Sequence, residues 1–214
     1  THLPKRIASS PAIWRKYLEE VCERRGIATE EVLGVEFRNK DYSWHRYGMK
    51  IRTKNGTIYR KDKYNDPYLK AFLTNLTLRS SCHNCPAKGS ASQSDIIAGD
   101  YWGVGNHHPQ TDDGKGVSCL LVRNTSLLRF FDERKMELTP TKYEYILASN
   151  PALERSALPN PKKAEYLQRL QSEAFFKCAE AYTKTPLSQT LKRTLRPFLS
   201  KLKHLILNPL KAIK

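Results

Sequence analysis

The dipeptide Asn55-Gly56 stands between two short runs of alternating character, Tyr47 to Arg52 and Thr57 to Lys61. Asn-Gly tolerates the positive φ angles of a tight turn, and period-two alternation marks a half-buried strand. The segment predicts an antiparallel hairpin, and a hairpin has no room for the crossover helix of a doubly wound parallel sheet. A helix precedes it. Ser9-Ser10-Pro11 offers a capping serine and a first-turn proline. Ile13, Trp14, Tyr17, Leu18, Val21 and Cys22 line one face, and Gly26 ends the helix. On that face Cys22 reads as a packed core thiol. Val32 to Phe37 reads as a strand. Asp66-Pro67 caps a second helix carrying Tyr68, Leu69, Phe72, Leu73 and Leu76. Farther on come short strands at Ser94–Gly103 and Val117–Val122, helices near 125–134 and 140–148, a proline-containing loop over 150–163, and a helix over 162–182. This order predicts an α+β fold, a mixed sheet with flanking helices.

Charge divides the chain of 214 residues. It holds 37 Lys and Arg against 21 Asp and Glu, a net +16. Eight of the basic residues and no acid lie in residues 184–214. Residues 1–183 are therefore read as one domain and 184–214 as a basic helical tail, with the remaining excess spread over the domain. In the tail, Leu187, Leu191, Leu195, Phe198, Leu199, Leu202, Leu205 and Ile206 fall near helical spacing. That suits an anionic membrane surface, and equally a helix docked on the body or a loose end. No apolar run is long enough to span a bilayer, and no secretory signal opens the chain. The first residue is Thr1, so the chain is expected to be a fragment or a processed product. Five cysteines, an odd number, fit a reducing compartment better than a disulfide-stapled module.

Cys82-His-Asn-Cys85 is the sharpest chemical signal. Two thiols on one turn can reach a single metal, and the spacing admits three readings. A redox disulfide prefers a helix start, whereas Pro86 follows here. Zinc needs two more ligands, and adjacent His107-His108 are poorly placed to share one ion. An iron–sulfur cluster needs four thiolates, with Cys22, Cys119 and Cys178 as the remaining candidates. The spacing does not rank cluster over zinc. Asp95 and Asp100 flank a strand five residues apart and do not share a face, which argues against an acid/base pair. Gly99 and Gly103 suggest close backbone approach. Tyr101-Trp102 reads as packing before ring stacking on a ligand. The chain lacks a phosphate-binding Gly-x-x-x-x-Gly-Lys loop, a Gly-x-Gly-x-x-Gly turn and a serine nucleophile elbow.

Taken in order, Arg79-Ser-Ser-Cys82-His-Asn-Cys85-Pro-Ala-Lys88-Gly89, Ser94-Asp95-Ile-Ile-Ala-Gly99-Asp100-Tyr-Trp102-Gly103 and Asp112-Asp113-Gly-Lys115-Gly116 form a specific series. It resembles the C-terminal domain of the coenzyme F420 hydrogenase/dehydrogenase beta-subunit family over roughly residues 10–170. Ser10-Pro-Ala-Ile-Trp14, Phe37-Arg38, Asp66-Pro67-Tyr and Asn150-Pro151-Ala-Leu153 fit the same pattern. The resemblance implies a flavin- and iron–sulfur-dependent oxidoreductase subunit, with FAD preferred to FMN. It passes electrons between a 4Fe-4S cluster, the flavin and a second redox partner, in a setting that includes surface-polysaccharide pathways. It implies Cys82 and Cys85 as two cluster ligands, and places Lys88, Gly89, Ser94, Asp95, Gly99, Asp100, Trp102 and Gly103 near the flavin or cluster. Expected partners are a redox protein, reduced ferredoxin or the deazaflavin coenzyme, and an N-terminal module. Members usually carry further cysteines upstream, and Lys5-Arg6-Ile7 stands where a Cys-His-Gly would be. The expected location is cytoplasmic, at most peripheral to the inner membrane face. The alternative is a non-enzymatic, zinc-stabilised module that binds nucleic acid, and the resemblance weighs against it.

Overall fold

The structure, a computed structural model, describes residues 10–132 and 134–184. The chain divides into two units, the first ending at Tyr182. Lys5-Arg6-Ile7 and the expected basic tail from residue 185 onward lie outside the described residues.

The fold is α+β. Helix α1 spans Pro11–Glu23. Ser10 holds the N-cap position without a side-chain capping bond; Pro11 sets the first turn, and the Ser10 N–H donates to the Thr77 carbonyl at 3.3 Å. Past the helix end Gly26 adopts φ +64, which a side chain would resist. Strands β1 (Val32–Asn39), β2 (Gly48–Thr53) and β3 (Gly56–Asp62) make an antiparallel sheet in that order. The hairpin forms where expected, with its turn one residue early. Thr53 pairs with Gly56, so Lys54-Asn55 are the central residues, and Gly56 takes φ +109 just after them. A glycine takes that positive φ without strain, and the bulge in this hairpin lies farther along, at Ile58, between the Arg52–Thr57 and Ile51–Tyr59 pairs.

Helix α2 (Pro67–Leu73) is capped as the sequence predicts, Asp66 Oδ1 accepting from the Leu69 N–H at 2.6 Å. Leu73 ends the helix and is 39% exposed, so it does not join the apolar face. Strands β4 (Ile96–Asp100) and β5 (Ser118–Val122) pair antiparallel with each other alone. The strands thus form two antiparallel sheets and not one mixed sheet. After β3, α2 folds back against the inner face of the first sheet, and β4 nucleates a second core. The stretch expected as a helix near 125–134 makes only a 3-10 turn over Thr125–Phe130. Helix α3 is Tyr143–Ser149. The helix expected over 162–182 breaks into α4 (Lys163–Ser172) and α5 (Phe175–Tyr182). Its cause is distant in sequence: Glu20 of α1 accepts the Phe176 N–H at 3.1 Å and so takes an orphan amide of a new helix start.

Two cores result. The first packs α1, β2, β3, α2, α4 and α5 around Tyr17, Met49, Ile51, Leu76, Tyr166 and Phe175. The second holds Ile97, Tyr101, Val104, Cys119, Ile146 and Leu153. Trp44, from the β1–β2 loop, stacks on Trp102 just past β4, with centroids 4.4 Å apart and planes at 18°. That contact joins the two sheets.

Candidate functional site

Cys82 and Cys85 sit on a 3-10 turn, Ser80–His83, and its exit, both half-buried and neither in a disulfide. The loop is held by groups 70 to 80 residues away. The Cys85 N–H donates to Ser156 Oγ at 2.9 Å. His83 Nδ1 lies 2.7 Å from the Ala157 carbonyl and its Nε2 lies 2.9 Å from Lys163 Nζ. A carbonyl on one side and an ammonium on the other assign the proton to Nδ1. Partial burial lowers the Lys163 pKa, and the neighbouring Cys82 opposes that shift. Downstream, Lys88 Nζ donates to the Ala152 carbonyl, and Arg123 donates to the Gly89 carbonyl at 2.6 Å and to that of Ser92. The cations of this loop thus clamp backbone carbonyls.

Beside the clamp lies an open groove of about 740 Å³, lined by Pro86, Ala87, Ser94, Asp95, Ile96 and Leu127 among others. Its volume lies in the range of small-molecule and cofactor sites. The expected site residues divide here. Ser94 and Asp95 line the groove, and Lys88 and Gly89 belong to its clamped loop. Asp100 ends β4 ~16 Å along the strand from Asp95, with Gly99 just before it and Trp102 and Gly103 just past it, too far for one flat ring system to touch both Asp95 and Asp100. At that end Asp100 pairs with Arg38. The Arg38 guanidinium stands 5.2 Å from the Trp44 ring, 5.0 Å from Tyr47 and 5.3 Å from Trp102. Trp102 therefore packs, as expected, against another indole. Gly103 needs its glycine, with φ +77 and Ser149 Oγ where a Cβ would go. Gly99 does not: a Cβ there would meet only Cys119 Sγ, at 3.7 Å.

The other cysteines are unsuited to complete a metal site with Cys82 and Cys85. Cys22, Cys119 and Cys178 are buried in the two cores, and burial is the main cause that raises each thiol above its ordinary pKa. Metal ligation needs thiolates. Among the described residues no three His, Cys, Asp or Glu side chains come together to hold a metal ion. A four-thiolate cluster therefore does not fit the described residues by themselves; they supply two half-exposed thiols on one turn. A flat ring does fit the groove by size, although the loop cations spend donors on carbonyls. Sequence reasoning missed Arg123, Ser156, Ala157 and Lys163, and no motif marks them. It missed His83 as an anchor too, although it lies inside the Cys-x-x-Cys.

The model of the C terminus of the coenzyme F420 hydrogenase/dehydrogenase beta subunit matches residues 11–143. The match spans more than half of the chain, which belongs to that family of oxidoreductase-related subunits. No curated protein and no solved structure matches the chain. Among the described residues no helix is long and apolar enough to cross a membrane.

Proposed function

We propose that this chain is a flavin- and iron–sulfur-dependent oxidoreductase subunit that relays electrons between a cluster, a flavin and a second redox partner. One observation carries the reading: in a chain of this family, Pro86 and Ala87, which follow directly on the Cys82–Cys85 turn, line a groove of cofactor size. Cys82 and Cys85 are two of the cluster's ligands; the other cysteines of the sequence are buried, so the remaining thiolates are supplied from beyond this sequence, by a further segment or a partner subunit. The groove beside Ser94 and Asp95 takes the flavin, FAD in preference to FMN, which supplies two-electron chemistry when bound. The chain's own part is to fix the loop: His83, Ser156, Ala157 and Lys163 hold the thiols in place, and Arg123 holds the groove wall. Residues 1–183 form the redox domain and 184–214 a basic tail that meets an anionic membrane face from the cytoplasm. A surface-polysaccharide pathway is the proposed setting.

The test is anaerobic purification of the native complex that contains this chain, followed by flavin and iron analysis of it and of the complex that carries a Cys82→Ser/Cys85→Ser variant. The expected result is a brown, flavin-containing protein whose variant loses its iron and keeps its flavin. A colourless chain with one zinc per molecule would sink the reading and favour the zinc-stabilised module.

A further inference from the structure

A metal centre on the Cys82–Cys85 turn is short of ligands by the number that the turn itself supplies. A four-thiolate cluster needs twice what one chain offers, since Cys22, Cys119 and Cys178 are buried in the two cores. The two thiols stand at the surface. Both are half-buried, Ser81 and Asn84 beside them are exposed, and so are Pro86 and Ala87, which follow. The turn is fastened through His83 and the Cys85 amide to one stretch of chain, Ser156 to Lys163. That stretch carries Leu158, at 80% the most exposed large apolar side chain among the described residues, and the exposed Pro159. Its backbone is fixed as well. The Leu158 carbonyl accepts from Asn75 Nδ2 at 3.0 Å, and Asn160 Nδ2 donates to the Thr74 carbonyl at 2.8 Å. An apolar side chain on a loop already held in place loses little entropy when it is covered. Residues 67–94 and 155–164, which hold the turn and its fastening, contain six Lys and Arg and no Asp or Glu.

From this arrangement we infer that the missing ligands come from a second copy of this chain. Two chains meet about a two-fold axis at the Cys82–Cys85 turn, and their four thiolates hold one metal centre. On the redox reading, on which this inference rests, that centre is the 4Fe-4S cluster. The count names the occupant. A two-fold interface presents the same patch from both sides, so it turns two thiols into four and needs no cysteine beyond those at the surface. Leu158 and Pro159, next to the residues that hold the turn, are the apolar rim that such an interface covers. Charge decides when the pair forms. Two faces that carry cations and no carboxylate repel each other. Four thiolates around an iron–sulfide core leave negative charge on the axis, where it attracts both faces. The chain without metal is therefore monomeric, and metal binding supplies the free energy of association.

The test uses the full chain alone, whereas the redox reading is judged on the native complex, so the two can fail separately. The chain is stripped of metal and then treated anaerobically with sulfide and equal parts of ferrous and ferric iron, which match the oxidation level of the core; the thiols release their protons to solvent. Analytical ultracentrifugation gives the mass, and iron is counted per chain. The expected result is a monomer before treatment and a dimer with about two iron atoms per chain after it. Cys82→Ser/Cys85→Ser should stay monomeric and free of iron. Leu158→Arg should weaken the loaded dimer about tenfold, while Leu33→Arg, at a 63% exposed leucine on β1, should leave it unchanged. Circular dichroism checks that every variant is folded. A monomer with about four iron atoms would overturn the inference. So would a dimer that survives in the double-serine variant. A chain that stays monomeric without iron, while the native complex holds a cluster, would also overturn it and leave the redox reading standing. A dimer bridged by zinc that takes up no iron would uphold the pairing and overturn the redox reading instead.

Discussion

Asp66 shows how much a single residue can hold. Its carboxylate is fully buried, caps α2 through the Leu69 N–H, and accepts the hydroxyls of Tyr17 and Tyr59, each at 2.8 Å. Removing it would leave three buried donors without an acceptor. Asp66→Ala is expected to cost about 3 kcal/mol and Asp66→Asn about 1 kcal/mol, read from urea unfolding at neutral pH. Burial raises the carboxyl above its ordinary 3.8, and hydrogen bonds from Leu69, Tyr17 and Tyr59 offset part of the rise. The folded chain therefore holds this proton longer than the unfolded chain does. Its contribution to stability is present in full below pH 3.8 and is lost as pH rises through the folded value. Relative to Asp66→Asn, the native chain should lose stability across that interval; a difference independent of pH would contradict the assignment. Tyr17 and Tyr59 are raised as well, mainly by burial and next by Asp66. Stability should fall again above pH 10, the ordinary tyrosine value, where the unfolded chain gives up protons that the folded chain keeps. The cap itself was legible from Asp66-Pro67. The two tyrosines that share it were not, since 49 residues separate Tyr17 from Asp66.

Between elements, the decisive contact is the Trp44–Trp102 stack. Gly116, at φ +98, approaches so closely that a Cβ would overlap the Trp44 ring. Gly116→Ala should displace Trp44 and cost about 2 kcal/mol, from backbone strain and from lost packing. The near-ultraviolet circular dichroism of the stacked indoles should collapse while the far-ultraviolet signal stays; an unchanged near-ultraviolet band would count against the stack. At this scale the sequence was informative about existence and weak about ends. The hairpin, α1 and α2 followed from turn chemistry and apolar spacing, which are local. The break between α4 and α5 depends on Glu20, which lies 156 residues from Phe176. Local periodicity carries no trace of such a partner.

At the scale of the whole molecule, the two cores differ in size. The first draws on six elements and the second on β4, β5, α3 and neighbouring turns. The smaller core should open first. Native-state hydrogen exchange is expected to show Met49 and Ile51 amides protected at the level of global unfolding, and Ile97 and Leu121 amides exchanging through a lower-energy opening. Equal protection would mean that the Trp44–Trp102 and Arg38–Asp100 contacts make the sheets one cooperative unit.

By itself the sequence determined the α+β class, the hairpin, the starts of α1 and α2, the family resemblance and the Cys82–Cys85 pair, because each rests on short stretches of residues and on the order in which they follow one another along the chain. Only the tertiary structure decided that the strands make two sheets, that Cys22, Cys119 and Cys178 are buried away from the pair, and that the expected site residues split between the two ends of β4. Those outcomes depend on which distant surfaces bury each other, and burial is a property of the packed chain that no short stretch of residues carries.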